Sequence, residues 1–211
     1  MKRITPHFIL LICCLCSFQF SIAQKGSLRF YDTYFQNQLA GWTKTIRRFK
    51  LSAFKKTGVL AFEKIDYADG SSMKDFYSIY KPALTFSNDS AQFIDIYSYW
   101  LVLERKESKI ISHGGEPEQA ATLFDLSTKK WTRIFFCGYA ERIQEVIWTT
   151  NTTFIMVGVS EENDSTNHPI IYIGNTITKS FDVFTSDDQG CYQYKYGYDS
   201  PKLLSLKIHE E

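Results

Sequence analysis

Two stretches in the second half of the chain resemble each other, and this duplication constrains the fold more than any other feature of the sequence. The first stretch runs from Leu84 to Phe136 and contains a turn, a long apolar segment, a polar loop and a hairpin. Residues Val146 to Ser160 repeat its opening, and residues Ile170 to Phe184 repeat its hairpin. A duplicated multistrand segment predicts an architecture of repeated structural units.

The spacing between matching positions indicates a single duplicated unit. Matching positions in the two openings lie 61 or 62 residues apart, and those in the two hairpins lie 50 residues apart. Offsets that agree within each half but differ between the halves predict a shorter internal loop in the second copy. The matching pairs are Phe86 with Trp148, Phe93 with Phe154, Asp125 with Asn175, and Trp131 with Phe181.

Local patterns predict strands along most of the chain. Residues Gln92 to Glu104 are largely apolar on both faces of an alternating pattern, which predicts one long strand covered on both sides. Asp69-Gly70 lies between two aromatic runs and predicts a hairpin whose second strand is 73–80. Residues 36–56 are compatible with a short helix or with an irregular pair of strands. The tail from Cys191 onward predicts two final strands.

Two motifs in the duplicated region carry a resemblance to a known family. The turn at residues 86–90, Phe-Ser-Asn-Asp-Ser, precedes a predicted strand, and the hairpin from Leu123 to Trp131 has an acidic turn followed by an aromatic residue. Both motifs resemble those of bacterial extracytoplasmic β-propeller proteins of the WD40-like type. The resemblance covers about residues 84–184 and implies repeated antiparallel blades.

The sequence therefore predicts an all-β protein of antiparallel sheets with propeller-like repeated units near residues 84–136 and 146–184. We expect residues 24–211 to form one domain, because that length suffices for a single core. A closed propeller has about four to eight blades. An incomplete propeller-like stack, a small closed propeller and a two-sheet β-sandwich all remain open.

Residues 1–23 have the layout of a secretory signal peptide. Two basic residues precede an apolar run from Phe8 to about Phe20, and Ala23 ends a site of small residues. The run is shorter than the roughly 20 residues of a membrane helix. We therefore expect cleavage after Ala23, a periplasmic or extracellular location, and no stable membrane insertion of the remaining chain. A lipoprotein is the alternative, since the run contains Cys13, Cys14 and Cys16.

Charge and cysteine content limit the partners and cofactors that the sequence predicts. Residues 24–211 carry 22 basic and 23 acidic residues, so we expect no nucleic-acid partner. Cys137 and Cys191 both fall at the ends of predicted strands, and in an exported protein they allow one disulfide. His113 and His168 fall in predicted loops without ligand spacing around them, so we expect no metal site. The chain also lacks a phosphate-binding glycine loop, and we expect no cofactor.

Four tyrosines near the C-terminus form the one candidate binding surface. Tyr192, Tyr194, Tyr196 and Tyr198 alternate with other residues, so on a strand their rings would lie on one face. Such a face could stack on sugar rings or on the side chains of a protein. The alternative is that this face is buried and belongs to the core.

The sequence favours a non-catalytic function over catalysis, because no catalytic constellation is visible in it. The first hypothesis is an exported binding or protein-interaction module whose partner is an unknown protein or carbohydrate. A second is a hydrolase or lyase of cell-surface polymers, with carboxylates brought together by the fold. A third is a structural component of an envelope complex, in which a partner covers an open sheet edge. The candidate carboxylates are Asp95, Glu104, Glu116, Glu118, Asp125 and Asp187.

Overall fold

A computed structural model describes residues 27–67, 73–161, 166–194 and 197–210. The predicted signal peptide, residues 1–23, lies outside the described residues. None of the described helices has the length and apolar character needed to cross a membrane. The helices are α1 (Asp32–Gln36), α2 (Ala40–Lys44), α3 (Met73–Tyr80) and α4 (Pro201–Leu204), with short 3-10 turns at Leu28–Tyr31, Leu51–Ala53 and Lys81–Ala83.

Strands account for most of the regular structure in the described residues. The strands are β1 (Phe54–Ala61), β2 (Ile65–Tyr67), β3 (Thr85–Phe86), β4 (Gln92–Asp95), β5 (Leu101–Lys106), β6 (Lys109–Gly115), β7 (Gln119–Asp125), β8 (Lys130–Cys137), β9 (Glu141–Trp148), β10 (Thr153–Glu161), β11 (Asn167–Asn175), β12 (Ser180–Ser186) and β13 (Ile208–Glu210).

These strands form three sheets, and none of the three closes on itself. Sheet I has the order β1-β12-β11-β10-β9, and sheet II has the order β2-β8-β7-β4-β3. Sheet III contains the β5–β6 hairpin with β13 added in parallel to β6. All other strand pairs among the described residues are antiparallel. The prediction of a mainly β protein with antiparallel sheets is confirmed.

Sheet I is covered on both faces, and its strand β10 shows this most clearly. Phe154 and Met156 lie in the core cluster shared with sheet II, whereas Ile155 and Val157 lie in a second cluster on the opposite face. All four side chains are fully buried. The second cluster is closed by the N-terminal helices, which contribute residues such as Trp42. A strand with apolar side chains on both faces is therefore present, but it is β10 and not the predicted strand over residues 92–104.

The predicted long strand over residues 92–104 is wrong, because the chain turns after Asp95. The Asp95 carboxylate accepts hydrogen bonds from the backbone N–H groups of Tyr97 (2.8 Å) and Ser98 (3.1 Å) and from the Ser98 hydroxyl. A side chain that accepts hydrogen bonds from the amides two and three residues later replaces ladder hydrogen bonds with a turn. The chain therefore ends β4 and restarts as β5, which belongs to another sheet.

Residues 73–80 form helix α3 and not the predicted second strand of a hairpin. Met73, Phe76, Tyr77 and Tyr80 follow the helical spacing of three and four residues, which places their side chains on one face. That face packs on sheet II, where the Phe76 ring lies 5.0 Å from the Trp131 ring. Tyr80 also donates its hydroxyl hydrogen to the carbonyl of Leu101 at 2.7 Å, which links α3 to β5.

The final segment contains less strand than predicted. Residues 191–194 make only an isolated bridge to the segment after α2, residues 201–204 are helical, and β13 is three residues long. Ser200 begins α4 by accepting a hydrogen bond from the Lys202 N–H, and Pro201 occupies the first turn, where it needs no hydrogen-bond partner. A Ser-Pro start is thus a sequence signal for the helix.

Candidate functional site

The tyrosine-rich segment lies beside the residues that follow α2. Ile46 and Gln193 form an antiparallel bridge, and the Arg47 N–H donates to the Tyr192 carbonyl at 2.8 Å. Ile46 and Gln193 are both buried. Because neighbouring residues on extended chain point to opposite sides, Tyr192 and Tyr194 are directed outward.

Arg47, Tyr192 and Tyr194 together form a surface that we call the Tyr192–Arg47 surface. The two tyrosine rings lie edge to face with centroids 6.4 Å apart. The Arg47 guanidinium lies 5.5 Å from the centroid of the Tyr192 ring and donates a hydrogen bond to its hydroxyl at 2.7 Å. That hydrogen bond raises the pKa of Arg47. Tyr194 is 51% exposed, so the surface is accessible.

Side chains behind this surface hold it in place. The Gln193 amide group donates to the Thr45 hydroxyl at 3.0 Å and to the Gln144 side chain at 2.9 Å. The Gln144 oxygen also accepts from the indole N–H of Trp42 at 2.9 Å, and Trp42 is fully buried. The tyrosines therefore extend from a backbone that is fixed to the core.

The four predicted tyrosines do not share one face. Gly197 has a φ of 66°, which ends the extended conformation, and Tyr196 lies outside the described residues. Tyr198 points away from the Tyr192–Arg47 surface. Its hydroxyl donates a hydrogen bond to Glu145 at 3.0 Å, and its ring lies beside Gly41. Only two of the four tyrosines are thus placed together by the described structure.

A buried carboxylate, Glu145, joins the C-terminal segment to β9. One of its oxygens accepts from the Lys202 ammonium at 2.6 Å and from the Val146 N–H at 3.0 Å. The other accepts from the Ser200 hydroxyl at 2.9 Å and from the Tyr198 hydroxyl at 3.0 Å. The Glu145 side chain is only 5% exposed. Burial, followed by the charge of Glu145, raises the pKa of Tyr198.

This arrangement suits a structural role better than a catalytic one. A carboxylate has about four lone-pair sites, and in Glu145 each site accepts a hydrogen bond from a donor of the protein. The Lys202 ammonium is likewise occupied, because it also donates to the Thr85 hydroxyl (2.8 Å) and to the Val146 carbonyl (2.6 Å). A cleft of about 410 Å³ adjoins the pair and is lined by residues that include Gln38, Asn88 and Trp148.

The candidate carboxylates are engaged separately in the described structure. Asp95 and Asp125 form turns, Glu104 pairs with His113 at 2.9 Å, and Asp187 pairs with Lys55 at 2.6 Å. Burial raises the pKa of Asp95, whereas hydrogen bonds, first from the Ser127 side chain, lower the pKa of Asp125 to about 2. Glu116 and Glu118 are exposed. These positions give no pair of carboxyl groups facing one substrate.

Cys137 and Cys191, between which the sequence allows a disulfide, are separate buried thiols. They belong to the two different core clusters, Cys137 to the cluster shared with sheet II and Cys191 to the cluster under the N-terminal helices. Burial raises the pKa of Cys137 to about 12 and also raises the pKa of Cys191. Protonated buried thiols are poor nucleophiles.

His113 and His168 lie in strands and not in the loops that were predicted. His113 is in β6, and His168 is in β11, where its Nδ1 lies 3.2 Å from the Cys191 carbonyl. Within the described ranges, no three histidine, cysteine or acidic side chains gather as metal ligands.

Sequence reasoning missed Glu145 and Lys202, although the first leaves a signal. Glu145 immediately precedes Val146, Ile147 and Trp148 in a strand whose end is buried, and a charged residue there requires a partner. Lys202 lies 57 positions further along in a polar tail, and nothing local marks it as that partner.

Comparisons of the chain with protein-family models, with curated proteins and with solved structures found no match.

Proposed function

We propose that the protein is an exported, non-catalytic protein-interaction module that contacts its partner through the Tyr192–Arg47 surface. The observation that carries the proposal is the packing of exposed Tyr194 on half-buried Tyr192, beside an arginine that forms no ion pair with any described residue. Tyrosine and arginine are enriched among the residues that dominate binding energy in protein interfaces. The predicted signal peptide supports export.

The state of Arg47 supports a protein partner. The Arg47 guanidinium donates one hydrogen bond to the Tyr192 hydroxyl, and its remaining N–H donors can bind a carboxylate of the partner. Because Gln193 and the bridge to Ile46 already fix the backbone, little conformational entropy would be lost on binding. Because the two rings pack edge to face, they do not together form a flat platform for stacking a sugar ring.

We also infer that sheets I and II are built on two copies of one blade-like unit. Strands β9–β12 form a four-strand meander, and β3, β4, β7 and β8 form another, with the β5–β6 hairpin inserted. The aromatic pairs Phe86–Phe93 and Trp148–Phe154 are cross-strand neighbours at equivalent positions of the two units. Their ring centroids lie 5.3 Å and 5.1 Å apart. A gene duplication accounts for both similarities.

Binding of the purified, exported protein to the envelope fraction of the producing cells tests the proposed function. Replacing Arg47 and Tyr194 with alanine should weaken binding by roughly 30-fold, the effect of a hot spot worth about 2 kcal/mol. Tyr139→Ala is the matched control, because Tyr139 is 84% exposed. Binding that survives the double substitution would contradict the proposal, and so would complete displacement by simple sugars.

A further inference from the structure

Strand β1 forms one edge of sheet I and is exposed along most of its length. It pairs with β12, and no other described strand pairs with its opposite side. Apart from Phe54 and Gly58, its side chains are exposed. An unpaired strand edge presents backbone donors and acceptors that another chain can complete.

The hydrogen-bond register identifies which backbone groups of β1 are unpaired. The N–H of Phe62, just beyond the strand, donates to the Lys179 carbonyl at 2.9 Å. Hydrogen-bonded and non-hydrogen-bonded pairs alternate along an antiparallel ladder. Leu60, two residues before Phe62, therefore directs its backbone N–H and C=O groups at Phe181 of β12. The N–H and C=O groups of Val59 and Ala61 point away from β12.

The two halves of β1 differ in their protection against pairing. The first half carries Lys55 and Lys56 and ends in a bulge at Thr57, and both features discourage edge-to-edge association. The second half lacks them. Its Val59 is 63% exposed and its Leu60 is 42% exposed, and these two side chains lie on opposite faces of the sheet.

The charge around this edge indicates the chemistry of its partner. Residues 44–64 contain seven basic residues and one acidic residue. Lys55 and Lys56 are paired with Asp187 and Asp182. Lys50 and Lys64 lie before and after β1, and neither forms an ion pair with the described residues. Lysines that form no ion pair with the described residues thus lie before and after β1 in the sequence.

We propose that β1 binds an extended segment of another protein, which adds to sheet I as a further strand with apolar β-branched residues at its centre and acidic residues at both ends. The backbone of Val59 and Ala61 supplies the hydrogen bonds. Lys50 and Lys64 interact with the acidic ends. This second contact surface does not depend on the Tyr192–Arg47 surface.

A synthetic peptide provides the first test. The peptide has the eight-residue length of β1, alternates valine with threonine, and has glutamate at each end; a control peptide has lysine at each end. In NMR titrations of the exported protein, the acidic peptide should shift the amide signals of Gly58 to Ala61. The lysine peptide should bind at least about tenfold more weakly.

Two proline variants locate the interaction on the outer edge. Val59→Pro removes an N–H that points away from β12, so the fold should be retained and peptide binding lost. Leu60→Pro removes a ladder hydrogen bond and should destabilise sheet I. Val59→Glu is a second variant that keeps the backbone N–H of the strand while adding a negative charge, which repels the acidic peptide, and it should also weaken binding.

Three outcomes would overturn the proposal. The first is the absence of amide shifts with millimolar acidic peptide. The second is equal binding of both peptides. The third is a concentration-dependent dimer, detected by sedimentation without peptide and lost in Val59→Pro, which would assign the edge to a second copy of the chain. None of these outcomes involves Arg47 or Tyr194, so the proposed function is tested separately.

Discussion

Asp125 and Asn175 form equivalent hairpin turns in sheets II and I. The Oδ1 atom of Asp125 accepts from the N–H groups of Ser127 and Thr128, each at 2.9 Å. The Oδ1 atom of Asn175 accepts from those of Ile177 (2.9 Å) and Thr178 (3.0 Å). Both residues supply the acceptor that this turn requires. They differ in charge, and only the aspartate can make its turn sensitive to pH.

The charge at position 125 should make stability depend on pH. The pKa of Asp125 falls from 3.8 to about 2 on folding. A lowered folded-state pKa stabilises the protein above the unfolded pKa, and this contribution is lost as pH falls from about 4 to about 2. Asp125→Asn should therefore be less stable than the wild type at pH 7, and most of this difference in stability should be lost at pH 2, as measured by urea unfolding.

The reverse substitution is the matched control for this prediction. Asn175→Asp should introduce the same acid sensitivity into the second turn, because the acceptor position is unchanged. A difference in stability between wild type and Asp125→Asn that is as large at pH 2 as at pH 7 would show that the carboxylate charge is not the cause.

The Glu145–Lys202 pair should contribute strongly to stability because its carboxylate is buried. Glu145→Gln would leave the Lys202 ammonium without its counter-charge, and removing one partner of a buried pair costs about 3 to 5 kcal/mol. We expect the lower end, about 3 kcal/mol, since the Lys202 side chain is 26% exposed. Lys55→Gln, in an exposed pair, should leave the urea midpoint unchanged. Equal effects would contradict this account.

The two hairpin turns also share a strained backbone position. Lys129 and Lys179 have φ values of 57° and 54°, which glycine adopts at lower cost than lysine. Replacing either lysine with glycine should leave the free energy of unfolding unchanged or raise it by up to about 1 kcal/mol. The two effects should agree, because the turns are equivalent. Thermal unfolding checks this, and opposite signs would show that the turns differ.

The elements that the sequence predicted correctly are those defined by local chemistry. The turn at Asp125 and the turn at Asn175 are visible as acceptor residues between β-rich runs. Helix α3 was missed because Met73, Phe76, Tyr77 and Tyr80 also suit an aromatic strand, and only packing on sheet II selects the helix. The break after Asp95 was missed because the residues on both sides of it are apolar.

For the molecule as a whole, contacts between segments that are distant in the sequence could not be predicted from it. Nothing local places β1 beside β12, or the segment at Gln193 beside Ile46, because these pairs depend on how the sheets stack. Half of the candidate tyrosine surface was predictable, since alternation placed Tyr192 and Tyr194 on one side. The role of Arg47 beside them follows only from the fold.

The position of photo-crosslinks on the protein tests the central claim, that it is a protein-interaction module, most directly. A photo-reactive phenylalanine analogue would be placed singly at Tyr194, Tyr139 and Ile177 in the producing cells. Tyr139 and Ile177 are 84% and 74% exposed and serve as controls. We predict a discrete protein adduct at Tyr194 that Arg47→Ala removes, and none at the controls. The same adducts at all three positions, or none at Tyr194, would contradict the claim.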